Sequence, residues 1–409
     1  MTTTAETRSR TGMIRVGAGL LVGTVTWSLP FSAAMSALLP QRIAQAAPDD
    51  KVALLAVLTG IVAVVGLISN MVFGALSDLT RSRWGARTPW IVGGAVGAGA
   101  FMVVLADASS FGEIVLWWSL AIFCLNATVS SVAAILPDRV PVTRRATLSA
   151  TQGVGILLGT AIGTVVGAVF LQRPETGLRF AAVAVVVLAV TTVLLAPDHP
   201  SEPSGPRSPA DHKSSFTLPR QAPDFYWALW GRLFLVVGYF MINGFQLYIL
   251  TDHVGLSTER AAEALGVNSI VFLVAALIAA SIAGPLSDRS GRRKVFVIGV
   301  SGVIVVAVLI PMLWATAAGM TGFAVVGGLA FGAYYSVDAA LISEVLPSRH
   351  SRARDLGILN AANTTGQVLA PAASSALVGL GIGYTPVFLG AMTVCVLGAF
   401  FIKPIRSVR

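Results

Sequence analysis

The chain has 409 residues, of which 55% are hydrophobic and only 11% charged, with a mean hydropathy of +0.79. A soluble domain carries about 25% charged residues, so water is excluded as the solvent of most of this chain and lipid takes its place. The net charge of +9 does not indicate nucleic acid, because the arginines lie in short loops on alternate sides of apolar runs rather than along one stripe.

A membrane helix needs about 20 mainly apolar residues. Spans are expected near 16–40, 52–74, 90–107, 112–136, 147–171 and 178–196. Residues 197–224 are rich in Pro, Ser and charge and cannot bury a core. Six more spans are expected near 225–251, 262–283, 295–315, 319–343, 356–380 and 384–402. The layout is an all-α integral membrane protein: a six-helix bundle over 1–196, a cytoplasmic linker over 197–224 and a second six-helix bundle over 225–409.

Residues 1–15 are polar and the first apolar run is followed by many others, so no cleavable signal peptide is expected. Twenty-two Lys and Arg residues, among them Arg81, Arg83, Arg87, Arg139, Arg289 and Arg293, fall on one side of the spans. The other side holds Arg42, Lys51, Arg173, Arg179 and Arg260. Basic loops face the cytoplasm, which puts both termini and the linker there, in a multi-pass protein of the cell's inner (cytoplasmic) membrane.

Two stretches repeat. Gly74 to Trp90 reads GALSDLTRSRWGARTPW, and Gly284 to Lys294 reads GPLSDRSGRRK, each between long apolar runs. Gly74 pairs with Gly284, Ser77 with Ser287 and Asp78 with Asp288 at an offset of 210. Gly85 and Arg87 pair with Gly291 and Arg293 at 206, because residues 81–84 are extra in the first copy. Asp138 to Pro141 likewise matches Glu344 to Pro347. The halves are pseudo-symmetric, and duplicated membrane halves mark secondary transporters.

These two loops resemble the motif that follows the second and eighth helices in the major facilitator superfamily, and the resemblance covers nearly the whole chain. The expanded first copy, with its SRWG and following Pro-Trp, is similar to the glycoside and sucrose type of cation symporter, as is the stretch Ser336 to Pro371. The resemblance implies two six-helix bundles around a central cavity that rock to expose it to alternate sides. The fourth span lacks the arginine usual in drug antiporters of the superfamily, and the fifth carries Gly155, Gly159 and Gly163 without their Gly-Pro signature. The paired acids of melibiose-type sodium sites are also absent.

Asp78 and Asp288 stand where a helix meets the cytoplasm, followed by Arg83, Gly85 and Arg87 in one copy and Gly291, Arg292 and Arg293 in the other. Such an acid can accept hydrogen bonds from a neighbouring helix N-terminus, making a latch whose release frees the halves. A solvated turn that fixes topology is the alternative, since exposed ion pairs contribute about 0–1 kcal/mol. Gly74 and Gly284 suit close helix approach.

Asp338 is the carboxylate inside a span and away from its ends, a costly place for a charge. Three roles fit it: a proton-coupling site, an ion-pair partner of Arg232 in the seventh span, or an acid reaching the cytoplasmic interface. Its counterpart in the first half is Val132.

Polar and aromatic residues mark a substrate cavity: Trp27 with Ser28 and Ser32 in the first span, Asn126 in the fourth, and Asn243, Gln246 and Tyr248 in the seventh. Tyr334 and Tyr335 mark the tenth, and Asn360, Asn363 and Gln367 the eleventh. Amides and aromatic faces suit sugar hydroxyls and rings; the same groups also serve as hydrogen bonds between helices, at about 0.6 kcal/mol each. Trp117 and Trp118 are expected in the interfacial belt, and the glycines over 93–100 in close packing.

The four histidines have no ligand spacing, so no metal is expected. Nor is a cofactor, a catalytic nucleophile or a phosphate-cradling loop. The expected function is secondary active transport of a small organic solute: proton-coupled uptake of a sugar or glycoside, with proton-antiport efflux of a drug or secondary metabolite as the alternative. Its expected partners are the solute, protons and lipid, with the chain a monomer.

Overall fold

The computed structural model describes residues 2–141, 145–198, 222–290, 293–345 and 352–405. Among them there is no strand. Helix α1 (Thr2–Ala33) runs through a π turn (Ala34–Leu38) into α2 (Leu39–Ala46). Then come α3 (Lys51–Leu79), α4 (Thr88–Ala106), α5 (Phe111–Arg139), α6 (Arg145–Val169) and α7 (Pro174–Leu195). After the linker, α8 (Pro223–Asn243) leads to a single turn α9 (Gln246–Tyr248) and a π turn (Ile249–His253). The chain closes with α10 (Thr258–Ser290), α11 (Arg293–Leu313), α12 (Ala317–Val345), α13 (Arg352–Val378) and α14 (Thr385–Ile402).

Eleven helices among the described residues are long and apolar enough to cross a membrane, and α13 is the twelfth long helix. Their ends follow local chemistry. Proline stands in the first turn of α4, α7, α8 and α14, where its missing N–H costs nothing. At the start of α5 the Glu113 amide donates to Ser110 Oγ (3.3 Å), while the Ser109 amide donates to Glu113 Oε2 (2.7 Å), an arrangement akin to a capping box.

The helices group into two compact units. In the first, α1 packs against α6 and α7, and α4 packs against α5 and α7. In the second, α8 packs against α13 and α14, and α11 against α12 and α14. These are the same pairings in the order of the repeat.

The α1–α6 seam is the closest in the first unit. Gly155, Gly159, Gly163 and Gly167 stand every fourth residue on α6, and an added methyl at Gly167 would lie 2.7 Å from the Ala33 carbonyl oxygen. Ser32 donates to the Thr160 carbonyl (3.0 Å) and shares a hydrogen bond with Thr164 (2.9 Å); Ser28 donates to the Thr24 carbonyl (2.7 Å). The α6 glycines stand without proline because their work is contact. Ser28 and Ser32, expected at the cavity, are buried in this seam.

Three other expectations change. The seventh span is not one helix: it breaks at Gly244 and Phe245, because glycine holds a helix weakly and the side chains around the break hydrogen-bond one another. Trp118 does not sit in an interfacial belt but is fully buried, stacked on Phe31 at 6.4 Å between centroids. At Gly74 an added methyl would meet nothing among the described residues, so no close approach is found there. Within 93–100, by contrast, a methyl at Gly94 would lie 2.7 Å from the Cys124 carbonyl oxygen, and one at Gly99 2.9 Å from that of Ala182.

Candidate functional site

In the first unit the repeated loop is anchored by arginines. Arg87 caps α4 and reaches three ways. Its backbone N–H donates to Asp198 Oδ2 (2.8 Å), its Nε donates to Asp138 Oδ2 (3.0 Å), and its guanidinium also hydrogen-bonds Ser77. Arg139 pairs with Asp198 and donates to the Pro197 carbonyl (2.7 Å). The ends of α3, α5 and α7 and the start of α4 are thus tied by alternating charges. Gly85, at φ +88°, packs directly against the Asp198 carboxylate, so its position demands both a left-handed backbone and the absence of a side chain.

Arg83 lies over the Trp84 ring at 5.5 Å and is exposed. Asp78 is on the last turn of α3 and its side chain lies outside the described residues. So do the side chains of Asp288 and Arg293, the surroundings of Gly284, and the whole of Gly291 and Arg292. What is described in the second unit is Lys294, whose Nζ donates to the Ile405 carbonyl (2.8 Å). Ile405 follows α14 much as Asp198 follows α7, so an apolar residue stands where the first unit has its acid.

At membrane depth the first unit presents a pair of carboxamides. Asn126, half-buried on α5, donates to the Ile122 carbonyl (2.9 Å) and accepts a long hydrogen bond from Asn70 Nδ2 on α3 (3.4 Å). Asn70 is exposed although it lies deep in a span. Asn70 is not among the expected cavity residues, although the repeat marks it by placing Ala280 at the same point of the second half. Trp27 is half-buried on α1.

The second unit builds its polar node at the break between α8 and α9. Asn243 Oδ1 accepts from Gln246 Nε2 (2.8 Å) and from Tyr239 Oη (3.3 Å). With that oxygen engaged twice, the groups left without a partner among the described residues are Asn243 Nδ2, a donor, and Gln246 Oε1, an acceptor. Aromatic rings line the same stretch. Tyr239 stacks on Phe331 (4.3 Å, 22°), and Tyr335, 41% exposed, meets Phe331 edge-on at 4.7 Å.

The remaining expected contacts are dispersed. Tyr248 is buried, edge-on to Phe245 at 6.1 Å, so it is part of the packing and not of an open surface. Gln367 is half-buried on α13. Asn360 and Asn363 are on α13 and Asp338 on α12, with side chains outside the described residues. Arg232 is buried on α8, 7% exposed. No group of three or more metal-ligating residues is found among the described residues.

At the far end of α8, Tyr384 donates to Asp252 Oδ2 (3.1 Å). Burial, and then the charge of Asp252, raise the Tyr384 phenol above the ordinary tyrosine range, so it remains the donor in that bond.

Apolar helices in two similarly wired units, amides in place of charge at membrane depth and basic loops at the helix ends define a multi-pass membrane transporter. The family model described as MFS/sugar transport protein matches residues 50–403, and the chain belongs to that family, within the major facilitator superfamily. The MFS transporter asaE of Aspergillus flavus is 30% identical over 197 residues, 46% of this chain and 42% of that protein. The Fujikurins efflux protein of Gibberella fujikuroi is 37% identical over 121 residues, 28% and 25% of the two chains. The matches therefore span less than half of either relative's length. Among solved structures, a mutant of the nucleoside transporter NupG superposes with a TM-score of 0.74 at 13% identity, covering 95% of this chain and 99% of that one. A bacterial homolog of the human lysosomal transporter Spinster, inward-facing and unoccupied, gives 0.70 at 16% identity with 95% of each chain covered. At such identities the two structures show the fold alone.

Proposed function

We propose that this transporter takes up a sugar or glycoside across the cytoplasmic membrane by alternating access, driven by the proton gradient, with both termini in the cytoplasm. The observation that carries the solute class is the Asn243–Gln246 node. It offers one uncharged donor and one uncharged acceptor beside the Tyr239–Phe331–Tyr335 rings. A sugar presents that complement: hydroxyls that both donate and accept, and an apolar ring face that packs on aromatics. The family's description as sugar transport supports the same reading. Asp338, with Arg232 as its partner, is the proposed coupling acid, since an acid inside a span is expensive unless it loads and releases a proton.

A second reading is proton-coupled efflux of a secondary metabolite, favoured by the relative named as an efflux protein. The two differ in the sign of one signal. In weakly buffered proteoliposomes, sugar uptake with protons makes the side of sugar addition more alkaline; antiport of an aromatic metabolite makes the side of addition more acid. Acidification by metabolites together with silence for every sugar and glycoside overturns the first reading. Accumulation by Asp338→Asn at the wild-type level removes the coupling role.

A further inference from the structure

The α8 region ends in the π turn Ile249–His253, and its last residue enters a slot on the neighbouring helix. The His253 ring lies 5.3 Å from Phe388, on the first turn of α14, and 6.0 Å from Tyr384, the residue that caps it. Its Nε2 is buried and has no hydrogen-bond partner among the described residues. Beside it, Asp252 Oδ2 takes the hydrogen bond from Tyr384 and Asp252 Oδ1 that from Thr251 (2.9 Å). The turn is closed by two backbone bonds, Val254 N–H to the Ile249 carbonyl (2.9 Å) and Leu256 N–H to the Leu250 carbonyl (3.0 Å).

We propose that His253 is a proton-operated catch that fastens the end of the α8 region to the start of α14, closed when the imidazole is neutral and released when it takes up a proton. None of the roles assigned above to solute or coupling residues enters this inference. Histidine is the side chain whose charge changes within the physiological pH range. A neutral ring fits an aromatic slot with its Nε2 lone pair unused. A proton on Nε2 becomes a charged donor with no acceptor, and burying such a group is far costlier than leaving an acceptor idle. Attraction of the cation to two tilted rings at these distances is weaker than that loss. The ionisable groups around the slot are Asp252 and Tyr248 on the α8 side and Tyr384 before α14. At the start of α10, Glu259, Arg260 and Glu263 are exposed. Asp252 is already held by Tyr384 and Thr251, so the protonated ring gains most by moving into solvent, and the π turn loosens with it.

Hydrogen exchange on the purified full-length chain in lipid nanodiscs tests this. Exchange is followed by mass spectrometry in peptides covering 249–257 at pH 7.5 and 5.5, with times rescaled for the intrinsic pH dependence of exchange. The proposal expects the rescaled rates of the Val254 and Leu256 amides to rise roughly tenfold or more at pH 5.5, and His253→Phe to hold the slow rate at both pH values. His253→Leu, which fills part of the slot without ionising, repeats the comparison if the larger ring does not fold. Asp252→Asn is expected to keep the pH response. Equal wild-type rates at the two pH values overturn the catch. So does a pH response that survives in the His253 variant or vanishes in Asp252→Asn, because the acid is then the titrating group.

Discussion

The second helix of each half meets the fourth in opposite ways. In the second unit, α10 runs tightly along α12: an added methyl at Gly328 would lie 2.7 Å from the Phe272 carbonyl oxygen, and one at Gly332 would strike that of Ala276. In the first unit the corresponding residues are Ile122 and Asn126, and α3 makes no comparable approach to α5 among the described residues. What bridges there is side chain on side chain: the long amide–amide hydrogen bond from Asn70 to Asn126 and the edge-on pair Phe73–Phe123 at 4.9 Å. A seam that shuts backbone on backbone leaves no room for a ligand. A seam held apart by carboxamides keeps polar groups available at a depth where lipid gives them no partner. One duplicated scaffold thus has a seam of backbone on backbone and a seam of side chains, with Gly328 and Gly332 in one where Ile122 and Asn126 stand in the other.

Four experiments test these contrasts, the largest effect first. Gly332→Val forces α12 off α10 and should cost about 3 kcal/mol, seen as early thermal unfolding in detergent. The mirror change Asn126→Gly should leave the fold standing while lowering transport; stability unaffected by Gly332→Val would mean that α10 and α12 are not in backbone contact. Asp198→Ala removes the acid shared by Arg139 and the Arg87 amide, both bonds being largely shielded, and should cost about 2 kcal/mol. Ile405→Val, at the matching place of the second unit, should cost only about 1 kcal/mol, because Lys294 bonds the backbone carbonyl there and not the side chain, and equal shifts in the two proteins would erase the difference between the loops. Gly85→Ala must hold φ +88° and should cost about 1–2 kcal/mol, more if Asp198 cannot retreat; an unchanged melting temperature would contradict the positive φ. The smallest effect is the coupling of Asn70 and Asn126. A double-alanine cycle should return about 0.6 kcal/mol, and a value near zero would separate the two amides.

The long apolar helices were legible because lipid imposes apolar runs of about 20 residues on the sequence. Asn243 and Gln246 stand three residues apart, which on a continuous helix would put them on one face; the structure joins them instead across a break. That break was hidden because Gly244 lies in an apolar run, where a lone glycine usually remains helical. The fate of Ser28 and Ser32 was also unreadable: whether a hydroxyl faces solute or a neighbouring helix depends on the α6 glycines, 130 residues or so further on. Trp118 deceived for the same reason, its partner Phe31 being on a different helix.

The α1–α6 seam carries one more implication. Thr24, Ser28 and Ser32 recur every fourth residue on α1, with Ser36 next in the π turn, and Gly155, Gly159, Gly163 and Gly167 do the same on α6. Two racks of equal pitch mesh in more than one setting. Advancing α1 by four residues, about 6 Å, would again set a hydroxyl residue against a glycine at three of the four teeth. What distinguishes the observed setting is Ser32, which bonds both the Thr160 carbonyl and Thr164, and the π turn just beyond it: the register is fixed by one residue and one irregular turn and not by the repeat of the seam.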